Sequence, residues 1–210
     1  MADRYESLRS YLTMMHEFKA KHTGNGRTLE GDVLRHGEWF VWSPLPDGIE
    51  YGEAKNCFGN AANLAIATDL YGSDNERGRF QYFEGYGMTP GLGLTVEHAW
   101  CIDRRTGQVV DNTWRSGGRE CGFCDGDGTR EEPELDEDGE DYGYTIEVEC
   151  AYCDGTGDAG FDHENREGTV YVGIHVPTEL LSRIIMRDRT YTVFKSQAAV
   201  DEVLAANAAT

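Results

Sequence analysis

Three residues, Cys57 in KNCFGNA, His98 in VEHAWCID and Asp111 in VVDNTW, are of the types and in the order that thiol-based acyl-transfer chemistry uses. A cysteine that begins a helix lies at the positive end of the helix dipole, which stabilises a thiolate. An adjacent imidazole holds that thiolate as an ion pair and can then protonate a leaving group. A carboxylate on the far side of the ring fixes its tautomer and orientation. Asn112 is an alternative for this third role. The backbone N–H of Cys57 and the side chain of Asn56 are candidate oxyanion donors. Taken singly, each residue has a plainer reading: a small buried thiol, a core histidine beside Trp100, an aspartate capping a turn. Their joint occurrence in this order favours the chemical reading. Cys101 reads as core, and Trp100 and Trp114 as core or pocket wall.

The other four cysteines occur in two copies of one motif, CGFCDGDG (121–128) and CAYCDGTG (150–157), each C-x-x-C-x-G-x-G. A C-x-x-C turn brings two sulfurs to the same side, and two such pairs complete a tetrahedral Cys₄ shell. Glycines let the chain turn tightly round an ion, and soft thiolates favour zinc over calcium or magnesium. The expectation is one structural zinc held by Cys121, Cys124, Cys150 and Cys153. An iron–sulfur cluster also takes four cysteines, but the C-x-G-x-G tails favour zinc. Four thiolates leave no open position for water or substrate, so this is a staple and not an active site. His163 and His175 are left without a role in it. The doubled motif resembles the cysteine-rich module of the DnaJ (Hsp40) chaperones, where such motifs pair to make zinc sites. The resemblance covers Cys121 to Gly157 alone. No J-domain signature accompanies it, so it does not imply chaperone activity.

The elements that must position the first three residues are legible from periodicity. Tyr5, Leu8, Leu12, Met15 and Phe18 recur at helical steps, and KHTGNG ends that helix. EWFVWS (38–43) reads as a strand. Asn56 is a plausible N-cap for a helix that starts at Cys57, with Gly72 as its stop. Gly59 weakens its first turn. Strands are predicted at Gln81–Tyr86, Thr95–Ile102 and Gln108–Asn112, the last two joined by the turn DRRTG. TVYVGIHV (169–176) is a further strand, followed by helices over Thr178–Met186 and from about Ser196 to Ala206. If Asp103 faces Gln108, then Trp100 faces Asp111 and His98 faces Thr113. His98 and Asp111 are then diagonal neighbours on one face, within reach of each other. A one-residue slip would put them on opposite faces. The order of elements predicts an α+β domain with a mostly antiparallel sheet.

These segments resemble the papain-like and transglutaminase-like cysteine enzymes, of which GLGLTVEHAW, VVDNTW and YVGIHVP look like a small phage or bacterial type. The resemblance covers about Cys57 to Trp114 and Thr169 to Pro177. It implies an antiparallel sheet packed against a helix that begins at the nucleophile. It further implies Cys57 as nucleophile, His98 as general base and Asp111 as the orienting residue. No upstream glutamine completes a papain-type oxyanion hole.

Charge and length set the remaining bounds. The 210 residues suffice for one domain with a sizeable core. Of a net charge of −19, residues 115–168 carry −14, from 18 acidic and four basic side chains. That stretch reads as an acidic zinc-binding insertion (115–168) in a main domain made of residues 1–114 and 169–210. Its centre, REEPELDEDGEDYG, lacks the D-x-D-x-D-G arrangement of a calcium loop and reads as a solvated tip. The acidity disfavours direct nucleic-acid binding, which depends on Lys and Arg neutralising phosphates. No apolar run reaches the ~20 residues of a membrane span, and the N-terminal stretch has charges where a signal peptide is apolar. A cytoplasmic location is expected, in a host cytoplasm if the chain is phage-encoded, with the thiols reduced. The leading expectation is a cysteine hydrolase or acyl-transfer enzyme acting on an amide, peptide or isopeptide bond of a protein or peptide substrate. The alternative is a non-catalytic interaction protein whose acidic zinc module binds a host protein partner.

Overall fold

The computed structural model of the chain describes residues 2–24, 26–53, 55–89, 95–114, 121, 123–125, 127–135, 141–151, 155 and 168–209. The chain divides into two compact units, Met1–Trp114 with Arg166–Thr210, and Arg115–Asn165.

The larger unit is α+β. Its curled five-stranded sheet runs in the order β1-β7-β2-β3-β4, every neighbouring pair antiparallel. The strands are β1 (Glu38–Val41), β2 (Phe80–Met88), β3 (Thr95–Asp103), β4 (Gln108–Val110) and β7 (Val170–Val176). Five helices accompany it among the described residues: α1 (Ala2–Thr23), α2 (Leu29–His36), α3 (Cys57–Tyr71), α4 (Thr178–Asp188) and α5 (Gln197–Ala208). Alternation along the strands separates two faces. Tyr82, Tyr86, Ala99, Cys101, Val172 and Ile174 point into the core shared with the helices, where Leu8, Leu12, Ala61, Leu181 and Val200 are buried. Phe83, Trp100, Ile102, Val109 and Tyr171 form a second, aromatic cluster on the opposite face. Two glycines make room for it. A Cβ on Gly173 would lie 2.6 Å from the Trp100 ring, and one on Gly87 would lie 2.8 Å from Trp114.

Helix α3 starts where Asn56 caps it, its Oδ1 accepting from the Gly59 N–H at 3.2 Å. Ala61, Ala62 and Ala65 are fully buried, and their small side chains let the helix lie close to β3. The Cys101 thiol donates to the Ala61 carbonyl at 3.3 Å. The β3–β4 hairpin pairs Asp103 with Gln108 and Cys101 with Val110, the register that puts even-numbered β3 residues on the face of Asp111.

Two elements depart from the sequence reading. Helix α2 was not expected, because Gly31 and two acids interrupt its apolar pattern. Thr28 caps it by accepting from the Gly31 N–H. Gly31 is needed there, since a Cβ would meet the His16 ring at 2.7 Å. The second departure is in the acidic unit. Part of the stretch read as a solvated tip is a β-hairpin of β5 (Thr129–Leu135) and β6 (Asp141–Glu149).

Candidate active site and metal centre

Asp111 follows β4 directly, and all four of its lone-pair sites are used. Its Oδ2 accepts from His98 Nε2 at 2.7 Å and from the Tyr171 hydroxyl at 3.0 Å. Its Oδ1 accepts from the backbone N–H groups of Thr113 at 3.1 Å and Trp114 at 3.0 Å. A buried carboxylate is tolerable in its charged form only with such partners. Burial pushes the Asp111 carboxyl upward, but His98 and the two backbone donors outweigh it and hold the carboxyl below its ordinary value.

His98, on β3, lies against the Trp114 ring, with centroids 3.9 Å apart and planes within 15°. Trp100 and Tyr171 flank it at 6.3 and 6.0 Å. Burial opposes a charge on the ring. Asp111, by charge and hydrogen bond, and then Cys57, in the same two ways, overcome that opposition and raise the His98 pKa to about 9. With Nε2 committed to Asp111, Nδ1 is the ring nitrogen left for the thiol. The structure thus joins His98 on β3 to Asp111 at the end of β4, and Cys57, the first residue of α3, acts on the ring by charge. The carboxylate that meets the imidazole is Asp111. Asn112 instead accepts a backbone bond from the Gly52 N–H at 2.8 Å.

The first backbone N–H groups of α3, starting at Cys57, have no intrahelical partner. The Asn56 carboxamide is already engaged at both ends, to Gly59 N–H and, through Nδ2, to Glu53 Oε2 at 2.8 Å. Cys101 is fully buried beneath α3, and burial pushes its thiol well above the ordinary range. His175 packs on Phe83 at 5.3 Å, and burial lowers its pKa.

Two contributors carry no local sequence signal. Tyr171 reaches Asp111 from 60 residues away, on β7. Asn60, one turn along α3 from Cys57, donates to the Glu53 carbonyl at 2.7 Å and to Thr113 Oγ1 at 2.8 Å, and accepts from the Glu53 N–H at 3.2 Å. Its carboxamide therefore ties the helix of Cys57 to the turn that follows Asp111.

In the acidic unit, Cys121, Cys124 and Cys150 are buried together, with their sulfurs within 4.8 Å of one another, close enough to bind one metal ion. Cys121 and Cys150 sulfurs are 3.8 Å apart. That is the edge of a tetrahedron with metal–sulfur bonds of about 2.3 Å, which gives about 3.8 Å. The Gly128 N–H donates to Cys124 Sγ at 3.3 Å, a bond that stabilises a ligating thiolate. Gly128 and Gly155, the motif glycines, have φ of +80° and +71°, which only glycine adopts freely. Cys153 and His163 lie outside the described residues.

No family model matches the sequence, and comparison with curated proteins and with solved structures finds no match.

Proposed function

We propose that this protein is a cysteine hydrolase or acyl-transfer enzyme of the papain-like and transglutaminase-like type, acting on an amide, peptide or isopeptide bond. The observation that supports the reading is the buried His98–Asp111 hydrogen bond at 2.7 Å, on a ring whose raised pKa has Cys57, at the N-terminus of α3, as its next contributor after Asp111. In this reading Cys57 Sγ attacks the substrate carbonyl carbon, and the oxyanion faces the unpaired N–H groups at the start of α3. The protonated His98 gives its Nδ1 proton to the leaving amine as the C–N bond breaks, leaving a thioester on Cys57. His98, now neutral, takes a proton from water or an acceptor amine as that nucleophile attacks the thioester; the C–S bond breaks, the acyl group leaves as an acid or a new amide, and the Cys57 thiolate and His98 imidazolium are restored. Asp111 keeps Nε2 protonated throughout and holds the ring plane. Trp114 covers the ring's face and excludes water from the His98–Asp111 bond.

The thioester chemistry is tested by the rate at which iodoacetamide labels each cysteine near neutral pH, followed by peptide mass spectrometry. Cys57 should react roughly three- to tenfold faster than N-acetylcysteine, and Cys57→Ala should remove that fast phase. If Cys57 reacts no faster than buried Cys101, the reading fails.

For the acidic unit, three buried thiols with the Cys121–Cys150 sulfurs 3.8 Å apart support zinc as the ion, with Cys153 of the second motif as fourth ligand. Its role is structural.

A further inference from the structure

Tyr171 lies on β7, between β1 and β2, where it pairs with Phe40 on one side and Gly87 on the other. Its side chain is fully buried on the aromatic face of the sheet, among Phe83, Trp100, Ile102 and Val109. It is the one member of that cluster with a hydroxyl, and a hydroxyl withdrawn from water costs stability unless it is paired. The Tyr171 hydroxyl donates to Asp111 Oδ2 at 3.0 Å. Strand β2 separates β7 from β3, and it is glycine at the two positions that matter: Gly85 pairs with His98 and Gly87 with Tyr171. No side chain from these two positions stands between Tyr171 and the imidazole–carboxylate pair. A Cβ on Gly87 would come within 2.8 Å of the Trp114 ring and 3.3 Å of Tyr171 Cδ1.

A carboxylate oxygen has two lone-pair sites. On Asp111 Oδ2, His98 Nε2 takes one at 2.7 Å and Tyr171 the other. Oδ1 is held by the Thr113 and Trp114 N–H groups, so the carboxylate is fixed at both ends and cannot turn away from the ring. The hydroxyl also draws on the charge of the oxygen that binds His98. Its O–H dipole points the positive end at Oδ2, and so weakens the hold of Asp111 on the imidazolium proton. The other titratable groups at the pair are two thiols: Cys57 acts on His98 from α3, and Cys101 on β3 feels the charge of Asp111. Among the described residues, His98 and Tyr171 are the side chains that donate to Asp111.

We propose that Tyr171 is a positioning residue of the candidate site, its hydroxyl fixing Asp111 Oδ2 and sharing that oxygen's charge, so that His98 is oriented yet free to give up its proton. The proposal rests on the reading of His98 as proton donor to a leaving amine, but its test needs no substrate. The Cε1–H resonance of His98 is titrated in the full-length wild type and in Tyr171→Phe, which keeps the ring and removes the hydroxyl. Loss of one donor leaves more of the Oδ2 charge to His98, and the midpoint should rise by about half a unit, a ~threefold tighter hold on the proton. The upper inflection in the pH profile of Cys57 labelling by iodoacetamide should move up with it. A purely structural role predicts otherwise, since the packing is kept and the midpoint stays, or a loosened Asp111 lowers it. Incorporation of 3-fluorotyrosine at position 171, whose more acidic hydroxyl is a stronger donor, should lower the midpoint. This second replacement decides the matter if Tyr171→Phe gives no folded spectrum. A midpoint unchanged or lowered in Tyr171→Phe, or unchanged or raised with 3-fluorotyrosine, overturns the proposal. If Cys57 is inert to iodoacetamide while His98 responds as stated, the thioester reading goes and the role of Tyr171 on the His98–Asp111 pair stands. A reactive Cys57 with an unmoved midpoint does the reverse.

Discussion

Burial alone would discharge His98, because a low-dielectric surrounding disfavours the charged ring. It stays protonated because the Asp111 carboxylate is its hydrogen-bond partner and the Cys57 thiol is the next contributor. The sign of the pH dependence follows. A folded-state pKa of about 9, against an ordinary value near 6.5 for an unfolded histidine, means that the ring's contribution to stability is fully present below about 6.5. It is lost as the pH rises through about 9. Asp111 runs the other way: its lowered pKa gives stability that is present above the ordinary carboxyl range and lost as the pH falls through its folded value. The His98 Cε1–H resonance should therefore titrate with a midpoint near 9 in the wild type. Asp111→Asn should lower that midpoint, since burial then acts with its main opponent gone, and Cys57→Ala should lower it by a smaller step. An Asp111→Asn midpoint still near 9 would show that the carboxylate does not hold the charge.

At the scale of elements, the site depends on keeping α3 and the turn after β4 in register. Asn60 is the side chain that spans them, through Glu53 on one side and Thr113 on the other. The Asn60 side chain is buried and its bond to Thr113 wholly so, and Asn60→Ala should cost about 1–3 kcal/mol in urea unfolding. Thr113→Val removes the cross-link alone and leaves the Glu53 bonds intact. It should slow iodoacetamide labelling of Cys57 and, by leaving one Asn60 N–H unpaired, cost about 1 kcal/mol, less than Asn60→Ala. If Asn60→Ala destabilises but both variants label at the wild-type rate, Asn60 supports the fold and not the site. The two halves of this arrangement differ in how far sequence discloses them. The Asn56 cap, the start of α3 at Cys57 and the Asp103–Gln108 pairing are local, set by capping and turn chemistry within a few residues. Asn60 and Tyr171 join partners 53 and 60 residues apart, and no periodicity records such a pairing. Helix α2 was missed for a related reason: its glycine is chosen by contact with His16 on another helix, against its own helical propensity.

At the scale of the whole chain, the two units differ in what holds them. The larger one buries a continuous apolar core between sheet and helices. Among its described residues the smaller one has three buried cysteines as its hydrophobic cluster and one two-stranded hairpin. An isolated hairpin is marginal in water. This one also places Glu131 directly opposite Glu147, and like charges facing each other across strands are destabilising. A metal ion held by these cysteines, as proposed above, would then supply most of that unit's stability, since such a site forms only in the folded chain. The main unit breaks off after Trp114, whose ring packs at 5.9 Å from Tyr171, five residues beyond Arg166 where that unit resumes. Treatment with a strong zinc chelator should therefore collapse the amide signals of residues 121–155 into the random-coil range. The signals of Tyr82, Trp100 and Ile174 should stay where they are, and readdition of zinc should restore the first set. Loss of both sets together would make the metal part of one shared core. That outcome would require the Cys57 site to depend on an ion whose thiolate shell takes no part in its chemistry.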